Sequence, residues 1–262
     1  MDNVNKTLYI PLYGKALVSK KGIILSDKKA EQIWSEEGFP LKGKSRSKWL
    51  AYFLAMRASV FDGWLKREMS KEASAIVLHI GCGMDSRIER VGANGHMWYD
   101  IDFEDVISLR KKHFSSCQYY KMIIGDVRNP RWLNEIPNQC NAIIVFEGIS
   151  MYLKTDELQA FMCSASQHFQ KVSLLMDCYT GRGANATRYK NPINDVGVTV
   201  TYAIDDPKIL EKGTNFSYIC EHNITPQEMI NELHGTERFI FKKLFGGRFA
   251  KSIYRMYEFQ KN

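Results

Sequence analysis

The chain has 262 residues, enough for one large domain with its own hydrophobic core. Hydrophobic residues make up 45% and charged residues 25%, a composition that excludes an intrinsically disordered chain. The net charge of +7 favours acidic ligands, but no RNA-recognition, helix-turn-helix or zinc-finger motif accompanies the basic clusters at 15–29 and 42–48. We therefore expect a solvated basic face and no nucleic-acid partner.

The sequence contains no apolar run near roughly twenty residues, and no basic segment followed by an apolar run opens it. We therefore expect neither a membrane span nor a signal peptide, and the cytoplasm is the default location. The six cysteines form no C-x-x-C pair, so no structural zinc site, other metal site or redox motif is expected.

Residues 1–70 carry helical patterns over Lys28–Glu36 and Lys48–Met69 and predict an N-terminal helical cap. From residue 75 onward, short apolar runs alternate with amphipathic segments such as Glu104–Phe114 and Thr155–Gln170. This alternation predicts β-α-β units, and hence a mostly parallel sheet with helices on both faces. Strands are expected near 75–80, 97–102, 119–125, 141–147 and 173–179.

The C-terminal part of the chain has a different pattern. Thr225-Pro226-Gln227-Glu228 predicts a helix that ends near Gly235. The β-rich runs Arg238–Phe245 and Ser252–Gln260, separated by two glycines, predict an antiparallel hairpin that closes the sheet. Residues 71–262 would then form one domain, with an irregular insertion at about 181–223. Both this insertion and the N-terminal region are expected to cover the carboxyl ends of the strands, where open α/β sheets bind ligands.

The most informative motif follows the first strand, where Gly81 and Gly83 remove two side chains at a strand end. Such a turn lets a ligand lie against the backbone, although a glycine-rich turn without a ligand is the alternative. The dinucleotide fingerprint needs a third glycine where this chain has Ser86, and no phosphate-binding loop of the G-x-x-x-x-G-K-[ST] type occurs. The motif therefore argues against NAD and favours a nucleoside cofactor without a pyrophosphate.

Three acidic residues follow the next strands. Asp102 lies 21 residues beyond Gly81 (102 minus 81), near the interval of about 20 at which an acid reaches a nucleoside ribose; a helix N-cap is the alternative. Asp126 follows the third strand and could accept from the adenine amine, or be a turn residue. Glu147 ends the fourth strand after four apolar residues, where burial without a partner costs several kcal/mol, so a site role is favoured.

Several ordered motifs give the chain a family resemblance over roughly residues 9–180. They are Leu12-Tyr13-Gly14-Lys15-Ala16, Met56-Arg57-Ala58 with Phe61-Asp62, Gly81-Cys82-Gly83-Met84-Asp85-Ser86-Arg87, Tyr99-Asp100-Ile101-Asp102-Phe103 with Val106-Ile107, and Phe146-Glu147-Gly148 with Met151-Tyr152-Leu153. Together they resemble the leucine carboxyl methyltransferase family, especially its bacterial branch that includes polyketide O-methyltransferases. Where that family often has alanine and threonine, this chain has Cys82 and Ser86.

The resemblance implies a class I S-adenosylmethionine (SAM) methyltransferase fold: a Rossmann-like α/β sheet, mostly parallel, with a terminal antiparallel hairpin and a helical cap. It implies that Arg57 holds the carboxylate of the methionine moiety, which a guanidinium fork can do bidentately. Glu147 would contact the amino-acid end of the cofactor. The implied cofactor-binding residues are Arg57, Gly81, Gly83, Asp102, Asp126, Val127 and Glu147, with Lys15 as a weaker match.

The expected reaction is methyl transfer from SAM to an oxygen, a carboxylate or hydroxyl of a small and possibly acidic molecule. A carboxylate acceptor needs no general base, whereas a phenol or alcohol does, and His79, His222 and Tyr152 are the candidates. A buried structural role is favoured for His79. Methylation of a protein C-terminus is a variant of the same chemistry. The rival functions are an NAD-dependent oxidoreductase and a catalytically inactive SAM-binding protein.

Overall fold

The structure is a computed structural model that describes residues 7–37, 41, 43–187 and 200–262. Its centre is a seven-stranded sheet with the strand order β3-β2-β1-β4-β5-β7-β6. The first five strands pair in parallel, and β7 lies antiparallel between β5 and β6. The strands are β1 Ile76–Ile80, β2 Trp98–Asp102, β3 Tyr120–Ile124, β4 Asn141–Phe146, β5 Lys171–Tyr179, β6 Ser217–Glu221 and β7 Tyr254–Lys261.

Ten α-helices are described around this sheet. They are α1 Tyr9–Lys21, α2 Lys28–Glu37, α3 Lys48–Lys71, α4 Arg87–Val91, α5 Glu104–Arg110, α6 Thr155–His168, α7 Gly181–Ala186, α8 Gln227–Asn231, α9 Gly235–Leu244 and α10 Gly247–Ile253. Short 3₁₀ turns lie at Gly43–Arg46, Pro130–Glu135, Ser150–Tyr152 and Pro207–Glu211. No helix within the described ranges is long and apolar enough to cross a membrane.

Alternation along the strands sends side chains into two hydrophobic cores, one on each face of the sheet. On one face, Val77 and Val145 pack with Phe61 and Trp64 of α3. The opposite core contains residues of the same strands with α6 and the turn Pro130–Glu135. The helices before β1 therefore share a core with the sheet, and α3 runs across it as the longest helix described.

The predicted parallel strands are confirmed, each with small shifts at its ends. The terminal antiparallel pair is also present, but the prediction of its first strand was wrong. Residues 238–245 lie mostly in α9, and β7 pairs instead with β6, which comes from the region predicted to be an irregular insertion.

The physical reason is the spacing of the apolar residues in α9. Phe241 is buried and stacks on Phe245, four residues later, with ring centroids 6.0 Å apart, whereas Phe239 is 65% exposed. A spacing of four residues joins side chains on one face of a helix. Gly246 and Gly247 accordingly separate two helices rather than two strands, and Gly247 has φ +55°.

Candidate functional site

A cavity of about 570 Å³ opens at the carboxyl ends of the parallel strands. Its floor is the turn after β1, and α1, α3, α7 and α10 contribute walls, together with Phe245 directly after α9. This is the crevice in which open α/β sheets bind ligands. Of the seven cofactor-binding residues predicted from the sequence, five line it: Arg57, Gly81, Gly83, Asp102 and Glu147.

The floor depends on the glycines at its two bends. Gly81 has φ +67° and Gly83 φ +50°, angles that L side chains rarely adopt. A Cβ on Gly81 would also lie 2.3 Å from Cγ2 of Ile149, which is too close. The Gly81 N–H donates to the Ile101 carbonyl at 2.8 Å, so the turn is tied to β2. The cavity therefore reaches backbone here, as the sequence predicted.

Asp102 ends β2 at the edge of this floor. Its carboxylate accepts from the backbone N–H of Gly83 at 2.7 Å and of Phe103 at 2.8 Å. Burial raises the pKa of Asp102 to about 6, although both N–H groups oppose that rise. A standard N-cap side chain accepts from the second or third residue of its helix. Asp102 instead accepts from Phe103, the residue that follows it and precedes α5, so it is not a standard N-cap. The Asp102 carboxylate therefore lines the cavity and has a pKa just below neutral pH.

Arg57, on α3, reaches across the cavity to two acids at the ends of neighbouring strands. Its Nε and Nη2 lie 3.0 and 2.9 Å from Oε1 of Glu147, and its Nη1 donates to Asp177 at 2.9 Å. Nη1 also donates to the hydroxyl of Tyr254, which in turn donates to Asp177. These contacts engage four of the five guanidinium N–H groups, and the second N–H of Nη2 has no acceptor among the described residues.

A second arginine, Arg87, lies fully buried beneath the floor. It donates to Asp62 at 2.7 Å and to Glu147, and its Nη2 lies 3.2 Å from Asp85. Asp85 in turn pairs with Lys15 at 3.0 Å. Burial alone would raise the pKa of Glu147, but the two guanidiniums hold it at about 2. Glu147 is therefore ionised at neutral pH.

These groups form one continuous ion-pair network at the methionine end predicted for the cofactor. Its members are Asp27, Asp62, Asp85, Glu147, Asp177, Lys15, Arg57, Arg87 and Arg90. Five carboxylates face four cations, so the network carries a net charge of −1 when every member is ionised. Buried charges are tolerated only when they are paired in this way.

His79 lies between this network and Asp100. Its Nδ1 is 3.2 Å from Asp100, and its Nε2 is 3.1 Å from Nη1 of Arg87. Because Arg87 can only donate, Nε2 is the acceptor and Nδ1 carries the proton. Burial lowers the pKa of His79, which is therefore a neutral structural histidine, as the sequence favoured, rather than a free base.

The opposite wall of the cavity is aromatic. Trp49, Phe53 and Arg57 follow each other at four-residue intervals on α3, which places Trp49 about 12 Å from Arg57 along the helix axis. Trp49 stacks on Phe245 with centroids 5.4 Å apart and planes 9° apart. Phe249 of α10 also lines this wall and is partly open to solvent. We call Trp49, Phe53, Phe245 and Phe249 the aromatic wall.

Asp126 and Val127 do not line the cavity. The Asp126 carboxylate pairs with the Arg128 guanidinium at 2.8 Å and accepts the Arg128 backbone N–H at 2.9 Å. Its observed contacts are those of the turn residue that the sequence left open as an alternative. Two further candidate bases differ in position: Tyr152 lines the cavity, whereas His222 lies elsewhere, beside Glu258.

Sequence reasoning did not identify Asp177, Arg87 or Tyr254 as site residues. Asp177 is an acid inside the apolar β5 run, so the signal that singled out Glu147 would have found it. Arg87 stood in a matched motif without an assigned role. Tyr254 had no signal, because its contact with Arg57 joins residues 197 positions apart.

Comparison with known proteins gives these features a context. The chain is 26% identical over 213 residues to the tetracenomycin polyketide synthesis O-methyltransferase TcmP of Streptomyces glaucescens, covering 80% of this chain and 79% of TcmP. It is 24% identical over 234 residues to the SAM-dependent methyltransferase dpfgK of Gibberella zeae, covering 80% and 78%. The crystal structure of magnesium protoporphyrin IX methyltransferase from Synechocystis, solved with bound S-adenosylhomocysteine, superposes with a TM-score of 0.53 at 12% identity, covering 90% and 94%.

The sheet order and the antiparallel β7 give the protein the fold of class I SAM-dependent methyltransferases. The family model of leucine carboxyl methyltransferases matches residues 3–164, more than half of the chain. The protein belongs to that family. This membership sets aside the rival prediction of an NAD-dependent oxidoreductase.

Proposed function

We propose that the protein transfers the methyl group of SAM to a carboxylate oxygen of a small aromatic acid. One observation carries this proposal: a single cavity joins the aromatic wall to a charged wall, by which we mean Lys15, Arg57, Asp85 and Glu147 of the ion-pair network. TcmP, a polyketide O-methyltransferase, is a relative whose described activity is of the same kind.

The residues around the charged wall fit SAM by charge. SAM carries an ammonium, a carboxylate and a sulfonium, a net charge of +1, and the ion-pair network carries −1. Glu147 would pair with the ammonium, and the remaining Nη2 N–H of Arg57 would bind the carboxylate. A bidentate contact with Arg57, as first expected, would require Glu147 to give up its place on the guanidinium.

The nucleoside would lie along the floor. Gly81 and Gly83 would present backbone to it, and the Asp102 carboxylate is suited to accept from ribose hydroxyls because it lines the cavity at the floor's edge. Asp126 and Val127 lie outside the cavity lining, so they would flank the adenine only where the nucleoside extends beyond that lining. When bound, SAM supplies a methyl group already activated by the sulfonium, so the protein's task is alignment.

Among the described residues that line the cavity, the candidate bases are poorly suited to remove a proton, which favours an acid as the acceptor. Burial raises the phenol pKa values of Tyr152, Tyr179 and Tyr254, and His79 is held between Asp100 and Arg87. Asp102, whose pKa burial raises to about 6, belongs to the floor. A carboxylate is already a nucleophile at neutral pH and needs no proton removed.

The test compares matched acceptors. The purified protein is incubated with SAM and either anthracene-2-carboxylate or 2-hydroxyanthracene, alongside a panel of smaller aromatic acids with their matched phenols. Mass spectrometry should detect methyl esters and no methyl ethers. Methyl ethers without esters would contradict the carboxylate proposal, and SAM binding without turnover on any acceptor would favour the inactive SAM-binding alternative.

We also propose a reducing compartment, such as the cytoplasm, as the site of action. All six cysteines are free thiols, and disulfides persist mainly in oxidising compartments. Labelling of all six with a thiol reagent directly after gentle lysis would test this, and a recovered disulfide would contradict it.

A further inference from the structure

Three side chains with metal-binding atoms meet on the antiparallel pair β6–β7. Cys220 lies opposite Glu258 in the strand register, and His222 follows β6, where its backbone N–H donates to the Met256 carbonyl at 2.9 Å. The three side chains present one thiol sulfur, one imidazole nitrogen and one carboxylate oxygen within 4.8 Å of one another. None of them lines the cavity described above.

The distances between the donor atoms resemble those of a tetrahedral zinc site. Sγ of Cys220 lies 3.6 Å from Nε2 of His222 and 3.7 Å from Oε2 of Glu258. Zinc bonds of about 2.3 Å to sulfur and about 2.0 Å to nitrogen or oxygen place two such tetrahedral ligands about 3.5 Å apart. Only the pair Nε2 and Oε2, hydrogen-bonded at 2.6 Å, would have to separate, by roughly 0.7 Å.

The surroundings provide both support and access. Glu258 is buried on the sheet face that packs against α3, and the buried indole N–H of Trp64 completes no hydrogen bond there. This N–H lies close enough to the Glu258 carboxylate to serve as a donor to it. A carboxylate that turns one oxygen towards a metal can offer the other to such a donor, the usual arrangement around a metal ligand. Cys220 is exposed, which leaves a path for the ion and room for a water as fourth ligand.

We infer that Cys220, His222 and Glu258 bind one divalent transition metal ion of the zinc type. The mixed sulfur, nitrogen and oxygen donor set suits zinc or cobalt and does not suit magnesium or calcium, which take oxygen ligands. Binding releases the thiol proton of Cys220 to solvent, and His222 binds as a neutral imidazole through Nε2 with its proton on Nδ1.

The ion would clip the edge strand β6 to β7. Glu258 and Tyr254 lie on the same face of β7, four residues apart, and Tyr254 contacts Arg57 in the ion-pair network. A metal clip should therefore stabilise the strand that supports this end of the cavity. The absence of a C-x-x-C pair predicted no metal site, but here strand pairing, rather than local spacing, assembles the ligands.

The test is a cobalt titration of the full chain after treatment with a chelator. Co²⁺ bound to a thiolate gives a near-ultraviolet charge-transfer band, and four-coordinate Co²⁺ gives intense visible bands. The wild-type protein should show both with one ion per chain, and zinc should displace the cobalt. Cys220→Ser should abolish the charge-transfer band, and His222→Gln and Glu258→Gln should each weaken binding by roughly 100-fold.

Cys117→Ser is the matched control. Cys117 is also an exposed free thiol, but among the described residues it belongs to no group of metal-binding side chains. It should leave the cobalt spectrum unchanged. Melting curves in chelator should be the same for Cys220→Ser and wild type, and zinc should raise the melting temperature of wild type alone. No charge-transfer band at millimolar Co²⁺, or a band that survives Cys220→Ser, would overturn the inference.

Discussion

The charged wall and the aromatic wall face the same cavity but are held by different forces. The charged wall consists of buried side chains with several ionic or hydrogen-bonded partners each, such as Arg57, and Arg87 supports it from beneath the floor. The aromatic wall consists of ring contacts, such as Trp49 on Phe245, and Phe249 is partly open to solvent. Charges in a low-dielectric interior enforce one geometry, whereas apolar contacts are not directional.

The two walls share α3, which carries Trp49, Phe53 and Arg57, but different elements complete them. Glu147 and Asp177 follow or end parallel strands, whose positions the sheet fixes. Phe245 and Phe249 belong to the helical segment around α9 and α10, outside the sheet. The sheet therefore positions the acids of the charged wall, and helices outside the sheet position Phe245 and Phe249 in the aromatic wall.

The largest expected effect is a loss of stability on breaking the ion-pair network behind the charged wall. Arg87→Met should lower the free energy of unfolding by about 3–5 kcal/mol, because it leaves Glu147, Asp85 and Asp62 with uncompensated buried charge. Urea denaturation measures this. Arg128→Met is the control: its pair with Asp126 is exposed, so a change within about 1 kcal/mol is expected. Equal effects in the two variants would contradict the distinction.

The next effect concerns the floor. Asp102→Asn should weaken SAM binding at least tenfold, about 1.4 kcal/mol, because a ribose acceptor is lost. Asp126→Asn should have a smaller effect, since Asp126 lies outside the cavity lining and pairs with Arg128. Titration calorimetry of both variants compares them. A larger loss of SAM affinity in Asp126→Asn than in Asp102→Asn would indicate that Asp126, rather than Asp102, binds the nucleoside.

The affinity for SAM should also depend on pH through Asp102. Its pKa is raised to about 6, and only the ionised form offers two acceptor oxygens, so binding should weaken as the pH falls through 6. From about pH 7 to about pH 5 the loss should be about tenfold. The raised pKa has the opposite effect on folding: the stability contributed by the protonated form is present below the unfolded pKa and is lost as pH rises through 6. Asp102→Asn should flatten the binding profile, and an unchanged profile would contradict this assignment.

The smallest effect is expected at the aromatic wall. Trp49→Leu should raise the KM for an aromatic acid about fivefold, roughly 1 kcal/mol, through loss of ring contact area. The affinity for SAM should stay the same, because Trp49 lies about 12 Å from Arg57 along α3. Steady-state kinetics with anthracene-2-carboxylate and calorimetry with SAM separate the two quantities. If Trp49→Leu instead lost affinity for SAM while the KM for the aromatic acid stayed the same, the aromatic wall would bind SAM rather than the acceptor.

The sequence predicted well those features that depend on local patterns. Apolar runs located the parallel strands, and position at a strand end singled out Asp102 and Glu147, which both line the cavity. These predictions succeed because the carboxyl ends of parallel strands necessarily meet at one edge of the sheet.

Features that depend on contacts between distant segments could not be predicted in the same way. The pairing of Arg57 with Asp177 joins residues 120 positions apart, and no periodicity encodes it. The run 238–245 contains apolar residues compatible with either a strand or a helix, and only the burial of Phe241 against α3 and the stacking on Phe245 decide between them. Tertiary packing thus overrides local propensity there.

The central claim is that the charged wall holds the amino-acid end of SAM. Titration calorimetry with SAM on wild type, Arg57→Ala and the surface control Arg128→Ala tests it most directly. We predict one site per chain, at least tenfold weaker binding in Arg57→Ala, or about 1.4 kcal/mol, and wild-type affinity in Arg128→Ala. Absence of binding by wild type at millimolar SAM, or equal affinity of wild type and a folded Arg57→Ala, would contradict the claim.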